Sequence, residues 1–157
     1  LALCGDAARA QTLVEDLHRK LPQDTLHNTL WLPLIRATIE LPRNDGATRA
    51  IQILQAARQY EPALGFRLAW LRGRAYLQAG NTALAAAEFE RILAHRGWDA
   101  LSPLWSLAHL ELARATALSG DVAKSRQQYE AVFALWPEAD ADLPVLREAR
   151  QEYEKLK

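Results

Sequence analysis

The chain has 157 residues, with 19 basic and 19 acidic side chains, which is the size of one ordinary domain. Hydrophobic residues make up 50% and charged residues 24%, enough apolar material for a core and too balanced for a disordered tail. Zero net charge argues against a surface built to hold duplex phosphates, and the longest apolar run, Leu30–Ile35, is far short of a membrane span and contains Pro33.

Composition also favours helix. There are 29 Ala and 27 Leu against four Val and five Ile, and Ala and Leu lose little freedom in a helix while β-branched residues lose more. In chain order, Leu1–Cys4 reads as the tail of a helix, so the sequence is expected to be a piece of a longer protein. Gly5 stops that tail and Asp6 caps a helix over 6–20. Pairs follow at 26–41 with 46–59, 64–79 with 82–95, and 103–118 with 122–135, and a last helix at 143–156. Each pair turns at Gly, which takes the left-handed conformation, with Asp or Asn next to cap the following helix. Gly97 is expected to cap the helix before it, and Ser102-Pro103 and Asp142 before Leu143-Pro144 to start helices. Pro22, Pro62 and Pro137 end units.

The turns fall at 5, 45, 80 and 120, which marks an internal repeat. Small residues recur mid-helix (Gly73, Ala85, Ala113, Ser125) and bulky ones fill the gaps (Tyr76, Phe89, Tyr129). This pattern resembles the tetratricopeptide (TPR) repeat family. The third unit carries Gly73, Tyr76, Gly80, Ala85 and Phe89 at matching offsets, with Gly97 where the family places Pro. The fourth carries Ala113, Gly120, Ser125, Tyr129 and Pro137, with Thr116 in an aromatic slot; the second has Thr38, Ala50, Leu54 and Pro62, and the first half-unit Gly5, Ala10, Val14, Leu17 and Pro22. The resemblance implies an all-α, right-handed α-α solenoid of about three and a half repeats: a half repeat at 1–22, repeats at 23–62, 63–97 and 98–137, and a capping helix at 143–156, all in one domain of 1–157. The polar last helix, with Arg147, Glu148, Arg150, Glu152 and Glu154, suits a capping role.

No catalytic constellation emerges. The four histidines form no i, i+4 metal pair, Cys4 has neither a CxxC partner nor an obvious base, and no phosphate-binding Gly loop or nucleophile elbow occurs. His95-Arg96-Gly97-Trp98-Asp99 has the wrong spacing for a kinase catalytic loop. Glu138-x-Asp140-x-Asp142 lacks the Gly and late Glu of a calcium loop. No metal or cofactor is expected, and the single cysteine fits a reducing, cytoplasmic setting.

In a TPR solenoid the first helix of each pair lines the concave face. The resemblance therefore places Arg67, Trp70, Arg74 and Leu77 beside Leu107, Leu110, Arg114 and Ala117, with Leu32, Ile35 and Ile39 ahead of them. Arg67, Trp70, Arg74, Leu77, Leu107, Leu110 and Arg114 form the candidate partner groove, in which two guanidiniums grip a carboxylate and Trp70 anchors a side chain. The competing reading pairs Arg74 and Arg114 with neighbours such as Glu111 and packs Trp70 between units. Trp31 and Trp98 are expected in lengthened loops, stapled to the helices or presented at a contact surface. The resemblance implies a non-enzymatic module that binds a protein or peptide, or another domain of its own chain, without nucleic acid or membrane. Self-association through open repeat ends, a rigid spacer and an RNA-reading helical repeat are the alternatives. The Asp142–Ala149 ending, the Trp136–Asp140 stretch and the His95-Arg96-Gly97 loop also resemble C-terminal TPR regions of bacterial multidomain signalling proteins of the serine/threonine kinase type. That resemblance implies a docking or regulatory arm, with any kinase domain elsewhere.

Overall fold

A computed structural model of the chain describes residues 1–140 and 142–156; Ala141 and Lys157, both inside the expected domain, lie outside the described residues. Eight α-helices occur among them: α1 Ala7–Lys20, α2 Leu32–Glu40, α3 Gly46–Ala56, α4 Arg67–Gln78, α5 Thr82–Ala94, α6 Pro103–Leu118, α7 Val122–Leu135 and α8 Pro144–Glu154. No strand occurs among the described residues.

The helices pack in neighbouring pairs. α2 lies on α3, α4 on α5 and α6 on α7, and each pair also touches the next. The first helices of successive pairs meet too, α2 with α4 and α4 with α6. Three apolar clusters result: one holds α2, α3 and α4 around Leu54 and Leu68, one holds α4, α5 and α6 around Phe89, and one holds α6, α7 and α8 around Tyr129 and Leu146. Each cluster shares a helix with the next, so the core runs unbroken from α2 to α8.

The turns use one device three times. Gly5, Gly80 and Gly120 have φ of 86°, 76° and 85°. The amide after each donates five residues back: Asp6 to Leu1 O (3.1 Å), Asn81 to Tyr76 O (2.9 Å) and Asp121 to Thr116 O (2.9 Å). This closes the carbonyls left open at a helix end. Asp6 and Asp121 then accept from the backbone amides of Arg9 and Lys124; Asn81 makes no such side-chain cap. At the second turn the left-handed residue is Asp45 (φ 57°), and Gly46 is already the first residue of α3. Gly46 is small for another reason: a Cβ there would lie 1.9 Å from the carbonyl oxygen of Glu40.

Several boundaries depart from expectation. Leu1–Cys4 is a 3-10 turn over Ala2–Cys4. The helix expected from 26 opens as a π-helical turn, His27–Trp31, before α2, so Trp31 is helical rather than in a loop. The α3 helix stops at Ala56, and Arg58–Leu64 forms a 3-10 stretch around Pro62. Gly65 is a further left-handed glycine (φ 59°), and α4 begins only at Arg67. Gly97 is not a helix cap; it sits inside the 3-10 turn Arg96–Trp98, and His95 ends α5. Nor does Asp142 cap α8, because the flanking residue is Leu143 and it offers no side-chain cap. Ser102 does cap α6, accepting from the amide of Leu104.

Candidate functional site

The predicted face is only partly assembled. On α4, Arg67 is exposed, with Nη1 3.3 Å from Leu64 O and 3.7 Å from Asp99 Oδ2. Trp70 is half-buried and meets Phe89 edge-on at 5.8 Å, a contact inside the 63–97 unit rather than the packing between units of the competing reading. Leu77 is also half-buried, against the same cluster. On α6, Leu110 is fully buried in the third cluster and Leu107 packs against it. Leu110 therefore faces the core, because α8 covers that side of α6 and α7, and it is removed from the groove. Leu32 and Ile39 are buried likewise, leaving Ile35 as the half-exposed member of that row.

Arg74 and Arg114 do come together. They line one open pocket of about 330 Å³ with Leu41, Leu77, Gln78 and Glu111. Arg114 is already occupied, however. Its Nε and Nη2 reach the two carboxylate oxygens of Glu152 at 2.9 and 3.0 Å, and Nη1 reaches Glu111 at 3.2 Å. Tyr129 Oη donates to Glu152 at 2.8 Å. Burial pushes the Glu111 carboxyl up despite the guanidiniums of Arg114 and Arg74 beside it. Burial, then the Glu152 carboxylate, pushes the Tyr129 phenol up. For Arg114, burial works downward but the Glu152 and Glu111 carboxylates outweigh it and raise its pKa. The Arg114 guanidinium is thus answered by two carboxylates inside the fold, those of Glu152 and Glu111. Arg114 is therefore not free to clasp an incoming carboxylate, and its network fastens α8 onto α6 and α7. Arg74, exposed on α4, makes no ion pair among the described residues.

A second charge cluster is wholly internal. The Arg72 side chain is completely buried, with Nε and Nη2 on the carboxylate of Glu88 in α5 and Nη2 2.9 Å from Glu61 Oε1. Arg91 Nη2 lies 2.8 Å from Glu61 Oε2, out of line for a hydrogen bond but close enough to neutralise it. The Glu61 carboxylate therefore ties the Arg58–Leu64 stretch to α4 and α5.

The aromatic residues divide. Trp98 is stacked by His95 (4.2 Å) and lies under Arg91 (5.5 Å), while Trp105 lies under Arg96 (4.5 Å) and against His109 (5.0 Å). These two tryptophans pin the 95–102 connection, and Trp136 is half-buried against the third cluster. Trp31 is different: it is 45% exposed.

Trp31 stands at an opening that lies outside the expected site. An apolar groove of about 460 Å³ runs between α1 and α2, floored by Ala10, Leu13, Val14 and Leu17 and walled by Trp31, Leu34 and Ile35, with Leu1 at one end and Arg67 at its rim. Leu1, Leu13 and Leu17 are exposed. The signal was present in the sequence as the spacing of Ala10, Leu13, Val14 and Leu17 along one face of α1. Among the described residues no three His, Cys, Asp or Glu side chains gather to hold a metal, and no helix is long and apolar enough to cross a membrane. In comparison with known proteins, no family model, curated protein or solved structure matches the chain.

Proposed function

We propose that the chain is a non-catalytic interaction module of TPR type, a right-handed solenoid that binds a protein or peptide as the cytoplasmic docking arm of a larger bacterial signalling protein. The observation that carries this is the open apolar groove between α1 and α2, with exposed Leu13, Leu17 and Trp31 beside Arg67. Monomeric proteins rarely leave a contiguous apolar surface uncovered without a partner for it. The repeated Schellman turns, the shared helix pairs and the small-over-bulky contact of Gly73 on Phe89, where a Cβ would lie 2.7 Å from the ring, fit a TPR stack. Fold alone assigns no partner.

The test is capture from a lysate by three immobilised forms of the chain. These are the wild type, Leu13→Glu/Leu17→Glu, and Trp70→Ala/Arg74→Glu. Leu13, Leu17 and Arg74 are exposed while Trp70 is half-buried, so helicity by circular dichroism is checked first. A partner bound by the wild type and lost from the Leu13/Leu17 variant supports the groove. A partner lost only from the Trp70/Arg74 variant keeps the interaction module but moves the site to α4. Absence of any captured protein, with the chain eluting as a larger species as concentration rises, replaces the proposal with self-association.

A further inference from the structure

The pocket shared by Arg74 and Arg114 keeps two charges that the α8 network leaves unmatched. Its walls come from α4, from α6 and from Leu41 at the end of α2, helices that meet directly. It holds about 330 Å³, the small end of the ~300–1,000 Å³ range of ligand pockets. Gln78 Nε2 donates to the Leu41 carbonyl at 2.9 Å and ties α4 to the end of α2 beside the opening. Arg114 is taken up by Glu152 through two hydrogen bonds. Glu111, only 9% exposed, accepts one bond, from Arg114 Nη1 to its Oε1, and its Oε2 accepts none among the described residues. Across the pocket, Arg74 makes neither a hydrogen bond nor an ion pair among the described residues, yet its charge acts on Glu111. Burial works against the Glu111 carboxylate. A buried charge incompletely answered inside the fold, at the wall of an open pocket and opposite an unpaired guanidinium, is the arrangement of a ligand site.

We infer that this pocket binds a free α-amino acid with an apolar side chain, its carboxylate on Arg74 and its ammonium on Glu111. The charges decide the class of ligand. A simple anion gains Arg74 but lies against the carboxylates of Glu111 and Glu152. A simple cation gains Glu111 but lies beside Arg74 and Arg114. Like charges this close repel, and more strongly at a buried wall than in water. A zwitterion meets both groups and leaves the net charge of the pocket unchanged. Arg74 has paired N–H donors for a carboxylate, and an ammonium has three donors for Glu111 and its surroundings. Leu41, 8% exposed, and half-buried Leu77 supply an apolar wall for the side chain. A residue inside a polypeptide has given up both charges to peptide bonds, so no protein segment offers this pair on one carbon. Glu152 keeps its bonds to Arg114 throughout, and neither the α1 groove nor a partner protein takes part.

The test is isothermal titration calorimetry of the whole chain with L-leucine. Three relatives of the probe are titrated beside it: N-acetyl-L-leucine, which lacks the ammonium, L-leucinamide, which lacks the carboxylate, and glycine, which lacks the side chain. Leucine is expected to bind saturably, and each of the three at least about tenfold more weakly. Arg74→Gln and Glu111→Gln are each expected to weaken leucine binding at least about tenfold. Arg74 is exposed, so its variant keeps the fold, and circular dichroism checks both. Arg9→Gln, at an exposed arginine on α1, is expected to change binding less than about twofold. No saturable binding of leucine, methionine or phenylalanine up to about 10 mM overturns the proposal. Equal binding of N-acetyl-L-leucine overturns it in favour of a plain carboxylate site, and equal binding of L-leucinamide in favour of a plain cation site. Glycine binding as tightly as leucine overturns the apolar wall. Binding of leucine that neither Arg74→Gln nor Glu111→Gln weakens places the ligand elsewhere and overturns the site.

Discussion

Arg72 offers the sharpest test of how the middle of the molecule is held. Its side chain is fully buried, and so is that of Glu61, while Glu88 is 8% exposed. Burial by itself would lower the pKa of Arg72, but the carboxylates of Glu88 and Glu61 outweigh it and raise it, so the guanidinium stays charged. Truncation by Arg72→Ala leaves two buried carboxylates with only Arg91 near one of them. Removing one member of a buried ion pair costs about 3–5 kcal/mol, mostly through the charge left behind. Whole domains of this size are stable by only ~5–15 kcal/mol, so the loss is a large share of the total. With a urea slope of about 2 kcal/mol/M, a loss of 4 kcal/mol moves the midpoint down by about 2 M. The slope itself should not change. The companion variant Arg72→Met/Glu61→Gln/Glu88→Leu removes the charges together and, because apolar replacement of a whole buried network is often neutral, is expected within ~2 kcal/mol of wild type. The assay is urea unfolding followed by both circular dichroism and tryptophan fluorescence, the coincidence of the two establishing a single transition. A midpoint shift under about 0.5 M for Arg72→Ala, or a triple variant less stable than the single one, refutes the reasoning.

The remaining predictions concern the ends and turns. Tyr129→Phe removes a hydrogen bond to the Glu152 carboxylate and is expected to cost about 1.5 kcal/mol, with hydrogen exchange rising first in α8; unchanged α8 protection contradicts the fastening role. Gly46→Ala drives a methyl into the Glu40 carbonyl and is expected to cost about 3 kcal/mol in thermal unfolding, against a gain of ~1 kcal/mol expected for the same change in an open helix. For Glu111, whose folded pKa lies above its ordinary 4.5, burial favours the protonated form, so the stability it allows below pH 4.5 is lost as pH rises through the folded value. Glu111→Gln should therefore match wild type in melting temperature near pH 4 and exceed it at pH 7; the reverse order removes the burial argument.

Helix positions were legible because their signals are local. Glycine with a polar cap, small residues mid-helix and proline at unit ends each act within a few residues, and α5, α6 and α7 fall where those signals put them. What was not legible came from contacts distant in sequence. Gly46 looked like the left-handed turn residue, but Asp45 takes that conformation and Gly46 answers to a carbonyl six residues back. Arg72 reads as one more polar residue beside Trp70 and Arg74; its burial depends on Glu61 and Glu88, 11 and 16 residues away. Arg114 was expected beside Arg74 and lines one pocket with it, yet Glu152, which takes up its guanidinium, is 38 positions on. A polar capping helix reads from sequence as solvent-facing, and nothing local says that one of its carboxylates turns inward.

That inward turn decides what the pocket of Arg114 can hold. At the C-terminal end, α8 lies against α7, buries Leu146 and Ala149 in the third cluster and supplies the carboxylate that Arg114 requires. An acidic ligand arriving there would have to displace Glu152 and leave it, or Tyr129, without a partner, which offsets most of what the new contact contributes. Along α1, Leu13 and Leu17 are exposed beside the groove with α2. The difference in cost is large and of one sign: a ligand at α1 covers apolar surface that is already exposed, at about 25 cal/mol for each Å² removed from water, and breaks nothing. Among the described residues a ligand therefore gains more along α1 than in the pocket of Arg114, where Glu152 already holds the guanidinium.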